Sequence, residues 1–195
     1  MKRYIPLIFF LALVLPSSPG LGGSVKVEPL YNTPVYNPET KSYFAYVNLI
    51  PGVYGFTRST VFYRTAQAIV GRLTFKGVHG RLAVVKSESV NDFLYRTFRP
   101  RLEAWIGLRY DCINRKLVWS DGTFFKPGDY SNFDAFNWAP GNSVDNMFCG
   151  KRSAEKVFRY VNVWYPPRPG NFTWVLKGAM KEGNFAFVEY PTGGK

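Results

Sequence analysis

Between residues 109 and 150 the chain carries the side chains best suited to gripping a ligand. Tyr130, Phe133 and Phe136 offer flat apolar faces, and Asn132, Asn137, Asn142 and Asp145 set donors and acceptors among them. Rings of this kind stack on the apolar face of a sugar or on a protein side chain, while amides and a carboxylate fix its orientation. The same rings can instead pack on one another as the loop's own small core, and both readings stand at this point. Asp129, Asp134, Asn142 and Asp145 supply side-chain oxygens, the donor type of which a calcium ion takes about six to eight. Acidic residues in a loop are, however, most often only solvated.

Catalytic chemistry is poorly provided for, and we expect no enzyme. The single histidine, His79, lies in Gly77-Val-His-Gly80 with no second histidine or cysteine beside it, so it reads as a turn residue rather than a zinc ligand or triad member. No pair of carboxylates identifies itself as an acid and base. Gly71, Gly77 and Gly80 are not followed by Gly-Lys-Ser/Thr, which excludes a phosphate loop. Cys112 and Cys149 are too few for a disulfide-dense scaffold and enough for one bridge in an oxidising compartment. Such a bridge would close a loop of about 38 residues and stabilise by about 4 kcal/mol in the chain-entropy account. A pair of buried thiols is the alternative.

The elements that must position these residues are legible from periodicity. Leu102, Trp105, Ile106 and Leu108 form a short apolar run, too short for a helix and ended by Arg109, Asp111 and Asn114, so it reads as a buried strand. Gly107 inside it leaves room for a neighbouring backbone or ring. Tyr43 to Ile50 reads as the first strand, stopped by Pro51-Gly52. A helix over about 60–70, capped by Ser59 or Thr60, places Phe62, Ala66, Ile69 and Val70 on one face. Leu82 to Val85 is a short buried segment, and Ser87 caps a second helix with Val90, Phe93, Leu94 and Tyr95 inward and Asp92 and Arg96 outward. Residues 109–150 show almost no helical period, and an irregular stretch this long is usually functional. Strands follow at about 157–165, 172–176 and 185–190.

In order and spacing, Gly80 to Leu94, Trp105-Ile-Gly-Leu108, Leu117-Val-Trp-Ser-Asp-Gly122, Phe136-Asn-Trp-Ala-Pro-Gly141 and Phe185 to Pro191 resemble the C-type lectin-like domain, especially its bacterial branch. The resemblance covers residues 43–191. It implies an α+β fold of two helices and two small antiparallel sheets, with a final strand paired to the first and a long irregular loop region that carries the ligand site. Trp119 and Trp138 match family positions packed inside. The family's calcium-bridged sugar site uses a Glu-Pro-Asn or Gln-Pro-Asp triplet and a Trp-Asn-Asp triplet. This chain has Asn142-Ser-Val144 at the first place and Trp174-Val-Leu176 at the second, so the usual calcium site is not expected. The family's bridge from the first helix to the last strand is also absent, since Ala186 and Val188 lie where a cysteine would be.

The formal charge of +12, from 25 basic and 13 acidic residues, favours anionic partners such as acidic glycans. No run of adjacent basic residues exceeds two, so a dispersed positive surface is the plainer reading and specific nucleic-acid binding is not expected. Met1-Lys-Arg3, the apolar Leu7 to Leu15 and the small residues of Pro16 to Gly23 form a signal-peptide pattern over 1–22, which implies a secreted or periplasmic protein. Residues 23–42 read as an arm or linker. Together these features lead us to expect a secreted carbohydrate-binding module working through its aromatic loop. An adhesion module of the same fold that binds protein and no sugar is the alternative.

Overall fold

The computed structural model describes residues 27–29, 33–49, 61–111, 114, 116–126, 128–132, 158–164, 173–177 and 182–193. In chain order the elements are β1 (Val27–Pro29), β2 (Val35–Asn37), β3 (Ser42–Leu49), β4 (Val61–Phe62), α1 (Tyr63–Val70), β5 (Thr74–Phe75), β6 (Val78–His79), β7 (Arg81–Leu82), α2 (Glu88–Phe98), β8 (Ala104–Asp111), β9 (Lys116–Trp119), β10 (Phe158–Trp164), β11 (Thr173–Lys177), β12 (Glu182–Gly183) and β13 (Phe185–Tyr190). The main path of the sheet runs β1-β3-β13-β8-β10-β11, with β2 on β3, β7 on β13 and β9 on β8. The expected small sheets are thus joined into one of nine strands, flanked by the pairs β12-β4 and β5-β6. The join is parallel: Phe185 and Ala186 of β13 pair with Ala104 and Trp105 of β8. The final strand also lies antiparallel to β3 from Phe185↔Asn48 to Tyr190↔Tyr43, as the resemblance implied.

Period-two alternation sorts the sheet's side chains between two helices. Phe44 and Tyr46 of β3, Phe187 of β13 and Ala104, Ile106 and Leu108 of β8 join Val90, Leu94 and Phe98 of α2 in one core. Ala45, Val47, Leu49, Trp105, Ala186 and Val188 join Tyr63, Ala66, Ile69 and Val70 of α1 in the other. A strand covered on both faces must be apolar at nearly every position, which is why Trp105 to Leu108 is an unbroken run. Gly107 lies where the chain after β7 crosses β8. Its N–H donates to Ala83 O at 2.8 Å and its carbonyl accepts from Ser120 N at 2.6 Å.

Several expectations shift. Leu102 is not part of the buried strand but 57% exposed. The turn after α2 holds it outside, its carbonyl accepting from Tyr46 Oη at 3.2 Å. α1 begins at Tyr63, with Phe62 as an N-cap that makes no side-chain bond, because Val61–Phe62 pairs with Glu182–Gly183 instead. Tyr63 therefore takes the inward place expected of Phe62; Ser59 and Thr60 lie outside the described residues. His79 sits in β6 rather than in the turn, exposed, with Nδ1 3.1 Å from Gly71 O. The stretch from residue 109 is not irregular at its start, since β8 continues to Asp111 and returns as β9. No helix among the described residues is long and apolar enough to cross a membrane.

Candidate functional site

The site is built on α2. Ser87 Oγ accepts from Val90 N at 3.2 Å, the expected cap, and also donates to Glu39 Oε1 at 2.6 Å. Fixing the first turn fixes the phase of the helix, and that phase points Asn91 inward. A buried amide must be bonded, and Asn91 Oδ1 accepts the indole N–H of Trp174 at 3.0 Å. Trp174, on β11 and fully buried, donates its backbone N–H to Asn132 O at 2.7 Å. The loop is thereby tied to the strand that follows it. Trp119 lies edge-on to Trp174 at 5.8 Å and 87°, buried as the resemblance implied. Tyr130 meets the same indole at 5.7 Å and 88°. Such edge-to-face pairs are worth about 0.5–1.5 kcal/mol beyond the area they bury.

Tyr130 is thus both packed and half-exposed, a combination of the two readings left open for it. Burial, then the nearby carboxylates of Glu88 and Asp92, push its hydroxyl up to about 12. It stays a neutral phenol, able to donate and accept, throughout the physiological range. Asn132 stands beside it, half-buried. Asp129 closes a turn, its Oδ2 accepting from Lys126 N at 2.6 Å while its own N–H donates to Lys126 O at 3.0 Å. Phe133, Asp134, Phe136, Asn137, Trp138, Asn142, Asp145, Cys112 and Cys149 lie outside the described residues.

The donor set on β11 does not fit a calcium ion. Val175 and Leu176 offer no side-chain oxygen, and Trp174 is committed to Asn91 and the two rings. Asp129 has one oxygen engaged in its turn. Among the described residues no group of three His, Cys, Asp or Glu side chains is placed to hold a metal.

Sequence reasoning missed two polar anchors. Asn91 gives no periodic signal, because an inward position on an apolar stripe normally holds an apolar residue. Glu189, in the apolar β13, is 2% exposed and fully bonded. It accepts from Ser42 Oγ at 2.9 Å, Arg81 Nε at 3.1 Å, Arg81 Nη2 at 2.9 Å and Val84 N at 3.1 Å. It ties β3, β7 and β13 together and faces no part of the aromatic loop described above.

Comparison with known proteins agrees with this layout. Residues 75–163 match the family described as Lectin C-type domain. No curated protein matches the sequence. Among solved structures, the chain is similar to a mutant of the C-type lectin CEL-I of Cucumaria echinata, at 14% identity and a TM-score of 0.52 over 82% of this chain and 97% of that one. Human lithostathine is similar at 14% identity and a TM-score of 0.50, over 85% and 97%. The protein SPL-1, solved in complex with GlcNAc, is similar at 11% identity and 0.50, over 78% and 89%. At these identities the likeness is one of fold.

Proposed function

We propose that the chain carries a C-type lectin domain and is a carbohydrate-binding module that holds sugar on its aromatic loop without a bridging calcium ion; the match of residues 75–163 to that family and the fold of the described elements support this reading. The observation that carries this is the seat of Trp174. Where the resembled sugar site puts metal ligands next to this tryptophan, the chain has valine and leucine, and the loop is tied by Asn91, Asn132, Trp119 and Tyr130. Tyr130 meets the Trp174 ring at a right angle and is only half-buried, as is Asn132 two residues on. Stacking on a sugar face with a neutral hydroxyl and an amide alongside is the interaction these groups offer. In this reading Phe133, Phe136, Asn137, Asn142 and Asp145 add further rings and polar groups for the ligand, and residues 1–22 act as a signal peptide for export.

A glycan array probed with the mature protein, once with calcium and once with chelator, tests it. The expected result is a set of sugar signals that is the same in both conditions and falls when Tyr130 is replaced by alanine. Signals abolished by chelator would overturn the metal-free mechanism. No sugar signal in either condition would replace it with protein recognition.

A further inference from the structure

At the far end of α2 from Tyr130 lies a groove of about 410 Å³ lined by Tyr95, Arg96, Arg99, Pro100 and Arg101. We propose that it is a second binding site, which takes the carboxylate or sulfate groups of an acidic polysaccharide. Three guanidinium groups fall within six residues there. Arg96 is 79% exposed and pairs with Asp92 at 3.2 Å, while Arg99 and Arg101 are exposed and make no ion pair with a described residue. Guanidinium forks match planar or tetrahedral oxyanions with two parallel hydrogen bonds.

Backbone conformation gives an independent reason to assign Arg99 a role. It is the C-cap of α2 at φ 42° and ψ 56°, in the left-handed region. Glycine adopts that conformation without the penalty a Cβ brings, and is the usual choice at a helix end. The bond that closes the helix, from Arg99 N to Tyr95 O at 2.9 Å, needs no side chain. Lys41, at φ 52°, and Lys76, at φ 50°, are also left-handed, but the Lys41 side chain lies against Gly193 and the Lys76 ammonium lies over the Tyr43 ring at 4.4 Å. Arg99 has no such local use among the described residues, so an arginine kept in a strained position is explained by a partner from outside.

The surroundings select the polymer. Asp92, paired with Arg96, and Glu103, two residues after Arg101, set two carboxylates among the arginines. Nucleic acid, with a phosphate about every 3.4 Å along each strand, would bring charge against both carboxylates. A polysaccharide with spaced acid groups would not, and its apolar ring faces can rest on the exposed Leu102.

The test measures binding of the full chain to heparin, polygalacturonate, neutral dextran and duplex DNA, for wild type, Arg99→Gly, Arg99→Gly/Arg101→Gln and a charge-matched Arg72→Gln/Lys116→Gln. We expect one or both acidic polysaccharides to bind and dextran not to; which of them binds tells sulfate from carboxylate. The groove double variant should weaken that binding about tenfold or more, the charge-matched one less than about threefold, and Arg99→Gly should leave the melting temperature equal or higher. Equal losses in the two double variants would reduce the effect to overall charge. An undiminished affinity in the groove variant, a lower melting temperature for Arg99→Gly, or DNA bound as tightly with the same arginine dependence would each overturn the proposal.

Discussion

Replacing Gly107 with alanine puts the crossing at the centre of the sheet to a quantitative test. A Cβ there would lie 2.5 Å from Leu82 O, 2.9 Å from Ala83 O and closer still to Ser120 Oγ. The serine can turn away, but the two carbonyls belong to a segment held on β13 by β7. Relief requires that segment to retreat, which weakens Gly107 N–H to Ala83 O at 2.8 Å, Ser120 N–H to Gly107 O at 2.6 Å and Ser120 Oγ to Leu82 O at 2.6 Å. Overpacking costs about 1–3 kcal/mol, and each weakened buried bond adds up to about 1 kcal/mol. The lower entropy of the unfolded alanine chain offsets about 0.4–1 kcal/mol of this. The net is a destabilisation of about 2–4 kcal/mol, or on the order of 10 °C in a domain of this size. Urea titration followed by tryptophan fluorescence measures it. Adding Ser120→Ala removes the hydroxyl but leaves both carbonyls, so it should recover less than half. A loss under about 1 kcal/mol, or full recovery in the double variant, would show that the crossing is not tightly packed.

Four further outcomes are expected. Asn91→Leu strands the Trp174 indole N–H and should cost about 1–3 kcal/mol, with a changed near-ultraviolet dichroism; an unchanged spectrum and stability would mean that the indole finds another acceptor. In an alkaline difference titration, the phenol lost in Tyr130→Phe should be one that ionises near 12, and because its folded value is raised, the stability it contributes is whole below about pH 10 and lost between about 10 and 12; a lost phenol ionising near 10 would contradict the burial described. Arg81→Met leaves the Glu189 carboxylate buried without its ion pair and should destabilise by about 2–3 kcal/mol, discounted because the arginine is 31% exposed, with part of the loss restored by adding Glu189→Gln. Asp121 is raised by burial but lowered overall by its bonds to Lys86 and Thr123, so Asp121→Asn should cost stability at neutral pH, and that cost should vanish on acidification through and below the ordinary carboxylate range.

What the sequence makes legible follows from whether a signal is local. The apolar run at 104–108 and the Ser87 cap announce β8 and α2 because period and capping act within a few residues. The start of α1 is set by pairing of Val61–Phe62 with Glu182–Gly183, some 120 positions away, so no nearby residue marks it. Leu102 is misread because residue type suggests burial, while the left-handed Arg99 and the turn behind it decide exposure. At the site, the aromatic character of Tyr130 is plain, but its packing depends on Trp174, which lies 44 positions later, and on an asparagine of α2 that no pattern singles out.

β13 is the last element in the described chain, and it lies between β3 and β8 while also carrying β7. During synthesis at roughly 5–20 residues per second, β3 therefore waits on the order of ten seconds before its partner leaves the ribosome. Until then two sheet edges stand open, and neither hydrophobic layer can close. A polypeptide that cannot complete itself before that strand arrives exposes those edges to pairing with a neighbouring chain in the meantime.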